Sequence, residues 1–151
     1  MWANEIPDMS DTPWSKPMTI AAVIPFYNGR KFILDALKSV LTQTLAPQDI
    51  IVVDDGSTDD GPAIVGQLAV GSPIRLLRKQ HGGRSSARNY GVAHAETDLI
   101  ALLDQNDIWY PEHLESLLRN RRSWSFCWME WVLKAWKRPV ASIRPLGNAT
   151  T

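Results

Sequence analysis

Two buried strands that end in acidic residues constrain this chain more than any other feature. Residues 50–53 are four β-branched residues in a row, which is typical of a strand covered on both faces. Asp54 and Asp55 follow directly, and a second apolar run, residues 99–103, is also followed by acids. Because open α/β sheets bind ligands at the carboxyl ends of their strands, this pattern predicts a metal- and nucleotide-binding edge.

The composition is that of an ordinary globular domain. Sixteen basic residues balance sixteen acidic ones, so no general attraction to nucleic acid is expected. The single cysteine, Cys127, excludes an internal disulfide framework and fits a reducing compartment. Residues 1–17 lack a signal-peptide core, and no uncharged apolar run reaches the roughly 20 residues that a membrane span takes. The sequence therefore predicts a cytoplasmic protein.

Strand and helix patterns alternate along the chain. The predicted strands are residues 18–25, 49–54, 74–78 and 98–103. The predicted helices are residues 30–43, residues 60–71, where Asp59 or Asp60 can cap the first turn, residues 85–94, and a segment that starts at Pro111. This alternation predicts an α/β fold with a mainly parallel sheet and right-handed crossovers.

The two ends depart from this pattern. Residues 1–17 are predicted to be a disordered lead-in, and residues 121–151 a Trp/Arg-rich helix with a frayed tail. Trp124, Trp128 and Trp131 recur at helical spacing, which is typical of a core-facing stripe. Tryptophans among basic residues are also typical of a helix lying on anionic lipid. Both interpretations stay open, the second with a peripheral membrane contact.

The loops after the strands carry side chains that suit a nucleoside diphosphate. Tyr27 and Asn28 follow the first strand, and the Asp55 carboxylate can accept the imide N–H of uracil. Asp104 and Asp107 flank a tight turn and can converge on Mn²⁺ or Mg²⁺ together with phosphate oxygens.

A glycine-rich loop precedes the third helix. Gly82 and Gly83 offer backbone N–H groups at a helix N-terminus, and Arg84 and Arg88 add positive charge, a combination suited to phosphate. An ion pair between Arg88 and an acid of the same edge is the alternative interpretation.

Other nucleotide and phosphate folds match less well. A dinucleotide-binding domain requires Gly-x-Gly-x-x-Gly after its first strand, and a P-loop requires the Walker A pattern. Both patterns are absent from the sequence. A receiver domain has its acidic pair after the first strand, whereas here the pair follows the second. His81, His94 and His113 have no metal-ligand spacing and are interpreted as surface or packing residues.

Four motifs, in order, resemble the donor half of family 2 glycosyltransferases. They are residues 23–28 (VIPFYN), 53–59 (VDDGSTD), 82–89 (GGRSSARN) and 103–109 (LDQNDIW). Four motifs in order are much more specific than any one of them. The resemblance covers residues 18–120 and implies the A-type fold, a Rossmann-like three-layer sandwich.

The resemblance also implies residue roles. Pro25, Tyr27 and Asp55 would contact the nucleoside, and Asp104 and Asp107 would form an Asp-x-Asp-type motif with Asp107 as the direct metal ligand. The donor would be a nucleotide-diphospho-sugar of the UDP type. The reaction would be inverting transfer of a hexose to a hydroxyl of a glycan or a lipid-linked acceptor, in the biosynthesis of cell-envelope glycans.

Two features depart from the family pattern. Asn106 stands where many relatives have an aspartate. Its amide can bond a ribose hydroxyl or coordinate a metal weakly but adds no charge, so reduced metal affinity is expected. Family members also use a carboxylate base on the acceptor side, and Glu130 is the only acid after Arg119. Two interpretations stay open: an active transferase of unusual layout, or a truncated donor-binding module without the acceptor half. Truncation is the expected one.

Overall fold

The computed structural model describes residues 18–119, which fold around a four-stranded parallel sheet of order β3-β2-β1-β4. The strands are β1 (Ile20–Phe26), β2 (Asp49–Asp54), β3 (Ile74–Arg78) and β4 (Leu99–Leu102). The helices are α1 (Arg30–Leu41), α2 (Gly61–Ala69), α3 (Arg84–Ala93) and α4 (His113–Arg119). The predicted α/β class is confirmed; β2 and β3 have the predicted bounds, and the other elements differ by one or two residues at their ends.

The central strands are apolar throughout because both of their faces are covered. Ile24 and Val52 belong to a core with α1, α2 and α4, whereas Val23 and Val53 belong to a second core with α3. All four are fully buried, as expected when successive side chains of a strand point to opposite faces. The result is the three-layer sandwich.

The direction of the chain through the sheet locates the ligand edge. From β1 to β2 to β3, each strand is added on the same side of the sheet, and α1 and α2 cover one face. The helix α3 then crosses the other face and leads to β4, which lies on the opposite side of β1. This is the arrangement that right-handed crossovers produce. The strand order reverses between β1 and β4, and open sheets bind ligands at the carboxyl ends of strands at such a point.

The two acids predicted to cap α2 make different contacts. Asp60 is the N-cap residue but its side chain makes no capping hydrogen bond. The neighbouring Asp59 accepts from the Gly61 N–H at 3.1 Å, and its other oxygen accepts from the Arg30 N–H at the start of α1 at 3.0 Å. Asp59 therefore accepts hydrogen bonds at the N-termini of both α2 and α1.

Several predictions concern parts of the chain outside the described residues. The lead-in (1–17), the Trp/Arg-rich segment (121–151) and Glu130 all lie there. Within residues 18–119, no helix has the length and apolar character that crossing a bilayer takes.

Gly91 provides a test of how closely α3 packs on the sheet. A Cβ at Gly91 would lie 2.4 Å from Val23 Cγ1 and 3.0 Å from Val53 Cγ2. Gly91→Ala should therefore lower the free energy of unfolding by about 1–3 kcal/mol, because overpacking outweighs the gain in helix propensity. Urea denaturation monitored by circular dichroism measures this change.

The matched control is Gly66→Ala in α2, where an added Cβ meets no atom within 4 Å. This variant should gain up to about 1 kcal/mol from helix propensity alone. Equal changes in the two variants would contradict close packing of α3 on the sheet.

Candidate functional site

The loops after the strands enclose a crevice of about 240 Å³ at the carboxyl edge of the sheet. It is lined by seven of the residues predicted from sequence: Pro25, Tyr27, Asp55, Gly83, Arg84, Asp104 and Asn106. His81 and Gln105 line it as well. Asn28, Arg88 and Asp107 are not among its lining residues.

Asp55 is the most heavily contacted side chain of the crevice, and only 2% of it is exposed. Its Oδ1 accepts from Lys79 Nζ at 2.7 Å and from the Gly82 N–H at 3.0 Å, and its Oδ2 accepts from the Gly83 N–H at 2.7 Å. His81 Nδ1 lies 3.0 Å from Oδ2. One carboxylate therefore anchors the whole loop between β3 and α3.

These contacts keep Asp55 ionised. Burial alone would raise the pKa of its carboxyl, but the hydrogen bonds from Lys79, Gly82 and Gly83 and the charge of Lys79 hold that pKa below its ordinary value. The group is a charged acceptor at neutral pH.

Asn28 joins the loop after β1 to the loop after β2. Its Oδ1 accepts from the Thr58 N–H at 2.8 Å, and its own N–H donates to Ser57 Oγ at 3.0 Å. Its φ of 45° lies in the left-handed region, which asparagine enters more readily than most residues. Beneath this junction, the fully buried Asp54 accepts from the Ser57 N–H at 2.8 Å, and Arg78 Nε lies 3.2 Å from its second oxygen.

The turn after β4 presents two carboxylates. Asp104 pairs with Arg88 at 2.5 Å and with Arg84 at 3.4 Å, so the ion pair weighed for Arg88 is present. The Asp107 N–H donates to the Asp104 carbonyl at 3.0 Å and closes the turn, while the Asp107 and Asn106 side chains are exposed to solvent.

A cation at this turn would draw few of its ligands from the protein. Within residues 18–119, no group of three or more His, Cys, Asp or Glu side chains is arranged around a common point as a metal cage would be. Mg²⁺ and Mn²⁺ also bind to only one or two carboxylates and complete their shell with phosphate oxygens and water. The carboxylates of Asp104 and Asp107 have the chemistry that this arrangement requires.

Three residues in or beside the crevice make contacts that were not predicted from sequence. Gln105 pairs with the Tyr27 backbone, the His81 ring packs against the Tyr27 ring with centroids 4.3 Å apart and planes tilted by 31°, and Lys79 neutralises Asp55. His81 was interpreted only as a surface or packing residue. Lys79 could have been found, because a buried aspartate after a strand requires a nearby cation.

The comparisons with known proteins agree on one family. The family model for glycosyl transferase family 2 matches residues 21–122. An uncharacterized glycosyltransferase of Rickettsia conorii is 38% identical over 96 residues, which is 64% of this chain and 16% of that protein. Glycosyltransferase GlyG of Streptococcus pneumoniae is 33% identical over 100 residues, covering 65% of this chain and 33% of that one.

A solved structure with the same fold is that of S. aureus TarS. Its fragment 1–349 in complex with UDP-GlcNAc superposes with a TM-score of 0.64 at 26% identity, over 70% of this chain and 32% of that one. The fragment in complex with UDP superposes with a TM-score of 0.63 at 25% identity. The curated relatives cited above are matched over only 16% and 33% of their lengths.

Asp55→Asn tests the anchoring of the loop between β3 and α3. At pH 7 the variant should lose about 1–3 kcal/mol of unfolding free energy, because an amide cannot replace all of the carboxylate's acceptor bonds. The folded-state pKa is depressed, so the stabilisation is complete above the ordinary aspartate pKa of about 3.9 and is lost as pH falls through the lower folded value. Urea titrations across this range should show the two proteins converging.

Asp35→Asn, at an exposed acid of α1, is the control for this experiment. It should stay within about 0.5 kcal/mol of the parent at every pH. A constant gap between Asp55→Asn and the parent down to the lowest pH would show that Asp55 does not stabilise the fold through its charge.

Proposed function

The chain belongs to glycosyl transferase family 2, and we propose that its crevice binds the nucleotide of a UDP-activated sugar together with a divalent cation. The observation that carries the proposal is the convergence of Tyr27, Asp55 and Asp104 from three strand-end loops on one crevice, at the point where strand order reverses. The likeness to TarS, solved with UDP and UDP-GlcNAc, supports a UDP-sugar as donor.

The nucleoside is assigned to the side of the crevice formed by β1 and β2. The half-exposed Tyr27 ring offers a stacking face for the base, beside Pro25. The ionised Asp55 carboxylate is an acceptor for the imide N–H. Asn28 contributes by holding the two loops together, as its bonds to Thr58 and Ser57 indicate.

The diphosphate is assigned to the side formed by β4 and α3. Gly83 is the N-cap residue of α3, and its N–H and that of Gly82 already donate to Asp55. The positive charges of Arg84 and Arg88 are therefore assigned to the phosphates in place of these backbone N–H groups. Asp104 and Asp107 would hold Mn²⁺ or Mg²⁺, and the ion, when bound, would neutralise the charge of the diphosphate. The Asn106 amide is assigned to weak coordination of the same cation.

Family membership supports a proposal for the reaction. A hydroxyl of a glycan or lipid-linked acceptor would attack the anomeric carbon of a hexose with inversion while the bond to UDP breaks, in cell-envelope glycan synthesis. A carboxylate would take the hydroxyl proton. The protein would work in the cytoplasm, with a peripheral membrane contact if the acceptor is a lipid.

A donor-binding module without turnover is the second candidate. This candidate is favoured by the ion pairs of the two acids that line the crevice within residues 18–119. Asp55 is paired with Lys79 and Asp104 with Arg88, so neither is free to act as the base for an acceptor.

Calorimetry with UDP and Mn²⁺, together with an assay of UDP release from UDP-GlcNAc, separates these candidates. Metal-dependent UDP binding is expected for both. Release of UDP assigns an enzyme, and binding without release assigns the module. A chain that binds UDP neither with nor without Mn²⁺ would contradict the proposed function.

Asp107→Ala should abolish the Mn²⁺-dependent part of UDP binding and leave the fold intact, because the side chain is exposed and supplies charge to the cation. Asp35→Ala, an exposed acid on α1, is the matched control and should bind as the parent does. Equal UDP affinity of Asp107→Ala and the parent in Mn²⁺ would remove Asp107 from the metal site.

Asn106→Asp should act in the opposite direction. A third carboxylate at the turn adds negative charge beside the cation, and we expect about tenfold tighter Mn²⁺ binding to the UDP complex. Titration of Mn²⁺ at saturating UDP measures it. An unchanged affinity would mean that residue 106 does not face the cation.

A further inference from the structure

The side chain of Gln105 makes a pair of hydrogen bonds to the loop after β1. The Tyr27 N–H donates to Gln105 Oε1 at 2.8 Å, and Gln105 Nε2 donates to the Tyr27 carbonyl at 3.2 Å. Both polar groups of one residue's backbone are thus satisfied by one amide, in the manner of a strand neighbour. We refer to this pair of bonds as the Gln105 clasp.

The neighbouring Gly29 leaves room for the clasp. A Cβ at position 29 would lie 2.5 Å from Gln105 Cδ and 2.5 Å from Oε1. The backbone of Gly29 has φ −108° and ψ 23°, which does not itself require glycine. The residue at position 29 is therefore limited by the space that the Gln105 amide occupies and not by backbone conformation.

The clasp joins the two sides of the crevice. Tyr27 lies on the side to which the nucleoside is assigned, and Gln105 sits in the turn between Asp104 and Asp107. β4 pairs with β1 only from Ile20 to Val23, and the ladder ends there. Beyond it, the hydrogen bond from the Leu103 N–H to the Val23 carbonyl is followed by the clasp as the next direct link between the two loops.

We propose that Gln105 is a positioning residue, which holds the Tyr27 loop in register with the Asp104–Asp107 turn so that base and metal-bridged diphosphate are bound together. The ligand part of this inference rests on the proposed function. A ligand that touches both loops needs their register, whereas a nucleoside that touches only the Tyr27 side does not. Loss of the Gln105 side chain should therefore lower the affinity for UDP with metal more than the affinity for uridine.

Gln105→Met is the first test variant, because methionine has nearly the same length but neither donates nor accepts strongly. Gln48→Met is its matched control: Gln48 Oε1 accepts from the Ile20 N–H at 2.6 Å, at the opposite end of β1. Both variants remove an amide that hydrogen bonds to backbone at an end of β1, but only the Gln105 amide lies at the crevice.

The ligand-free readout is amide hydrogen exchange of the Tyr27 N–H by NMR, referenced to the Asp55 N–H, which donates to the Phe26 carbonyl at 2.8 Å. Gln105→Met should speed exchange at Tyr27 by about tenfold or more without changing Asp55, since exchange requires a broken hydrogen bond. Gln48→Met should change neither. Unchanged exchange at Tyr27 in Gln105→Met would overturn the clasp.

The ligand readout compares the affinity for UDP in saturating Mn²⁺ with that for uridine alone. Gln105→Met should weaken UDP by about tenfold, the order expected for two lost hydrogen bonds, and uridine by less than about threefold. Equal loss for both ligands would overturn the positioning role, because a merely destabilised fold weakens both alike.

Gly29→Ala is a second variant that should break the Gln105 clasp. Its Cβ should displace the Gln105 amide and weaken UDP binding as Gln105→Met does, while the double variant should be no worse than Gln105→Met alone. Additive losses would contradict the clasp. A parent chain that does not bind UDP would defeat the proposed function and the ligand role together, and Tyr27 exchange would still decide the clasp.

Discussion

The burial of one carboxylate organises the ligand edge of this protein. Asp55 follows β2 directly and is almost fully enclosed, and an ionised group in such a place must be paired and hydrogen bonded. Its partners are Lys79, Gly82 and Gly83, all from the loop between β3 and α3. Satisfying this one charge brings that loop over the sheet edge and sets where α3 begins.

Polar side chains also connect the other loops of the crevice. Asn28 ties the loop after β1 to that after β2, and Gln105 ties the loop after β4 to that after β1. In each case a side-chain amide bonds backbone groups that have left the strand ladder, which would otherwise be unpaired. The two cores hold the sheet and helices together, and polar side chains hold the loops.

This division explains how much could be predicted from the sequence. The apolar runs identify buried strands. The interior of β2 alternates between the two cores and has no polar position, and β2 has the predicted bounds. β3 has them as well, although its interior includes the exposed Arg75. Acids after such strands must share an edge, so Asp55 and Asp104 were expected in one place. Of their partners, Arg88 was considered as an ion pair, but Lys79 was not predicted. Nor was the Gln105 clasp, which spans 78 residues of sequence, because periodicity does not encode which side-chain tips meet. His81 shows the same limit: its side chain is half exposed, and its ring contact with Tyr27 was not predicted.

The charges of the crevice also explain how an acidic edge can accept an anionic ligand. Asp55 is neutralised by Lys79 and Asp104 by Arg88, so the crevice does not present bare negative charge to a diphosphate. Under the proposed function, a cation bound to Asp104 would compete with Arg88 for the charge of that carboxylate. Weakening of this ion pair would leave the guanidinium able to pair with a phosphate oxygen. Arg88 Nε is buried without a hydrogen-bond partner among the described residues, and such an atom favours any rearrangement that gives it an acceptor.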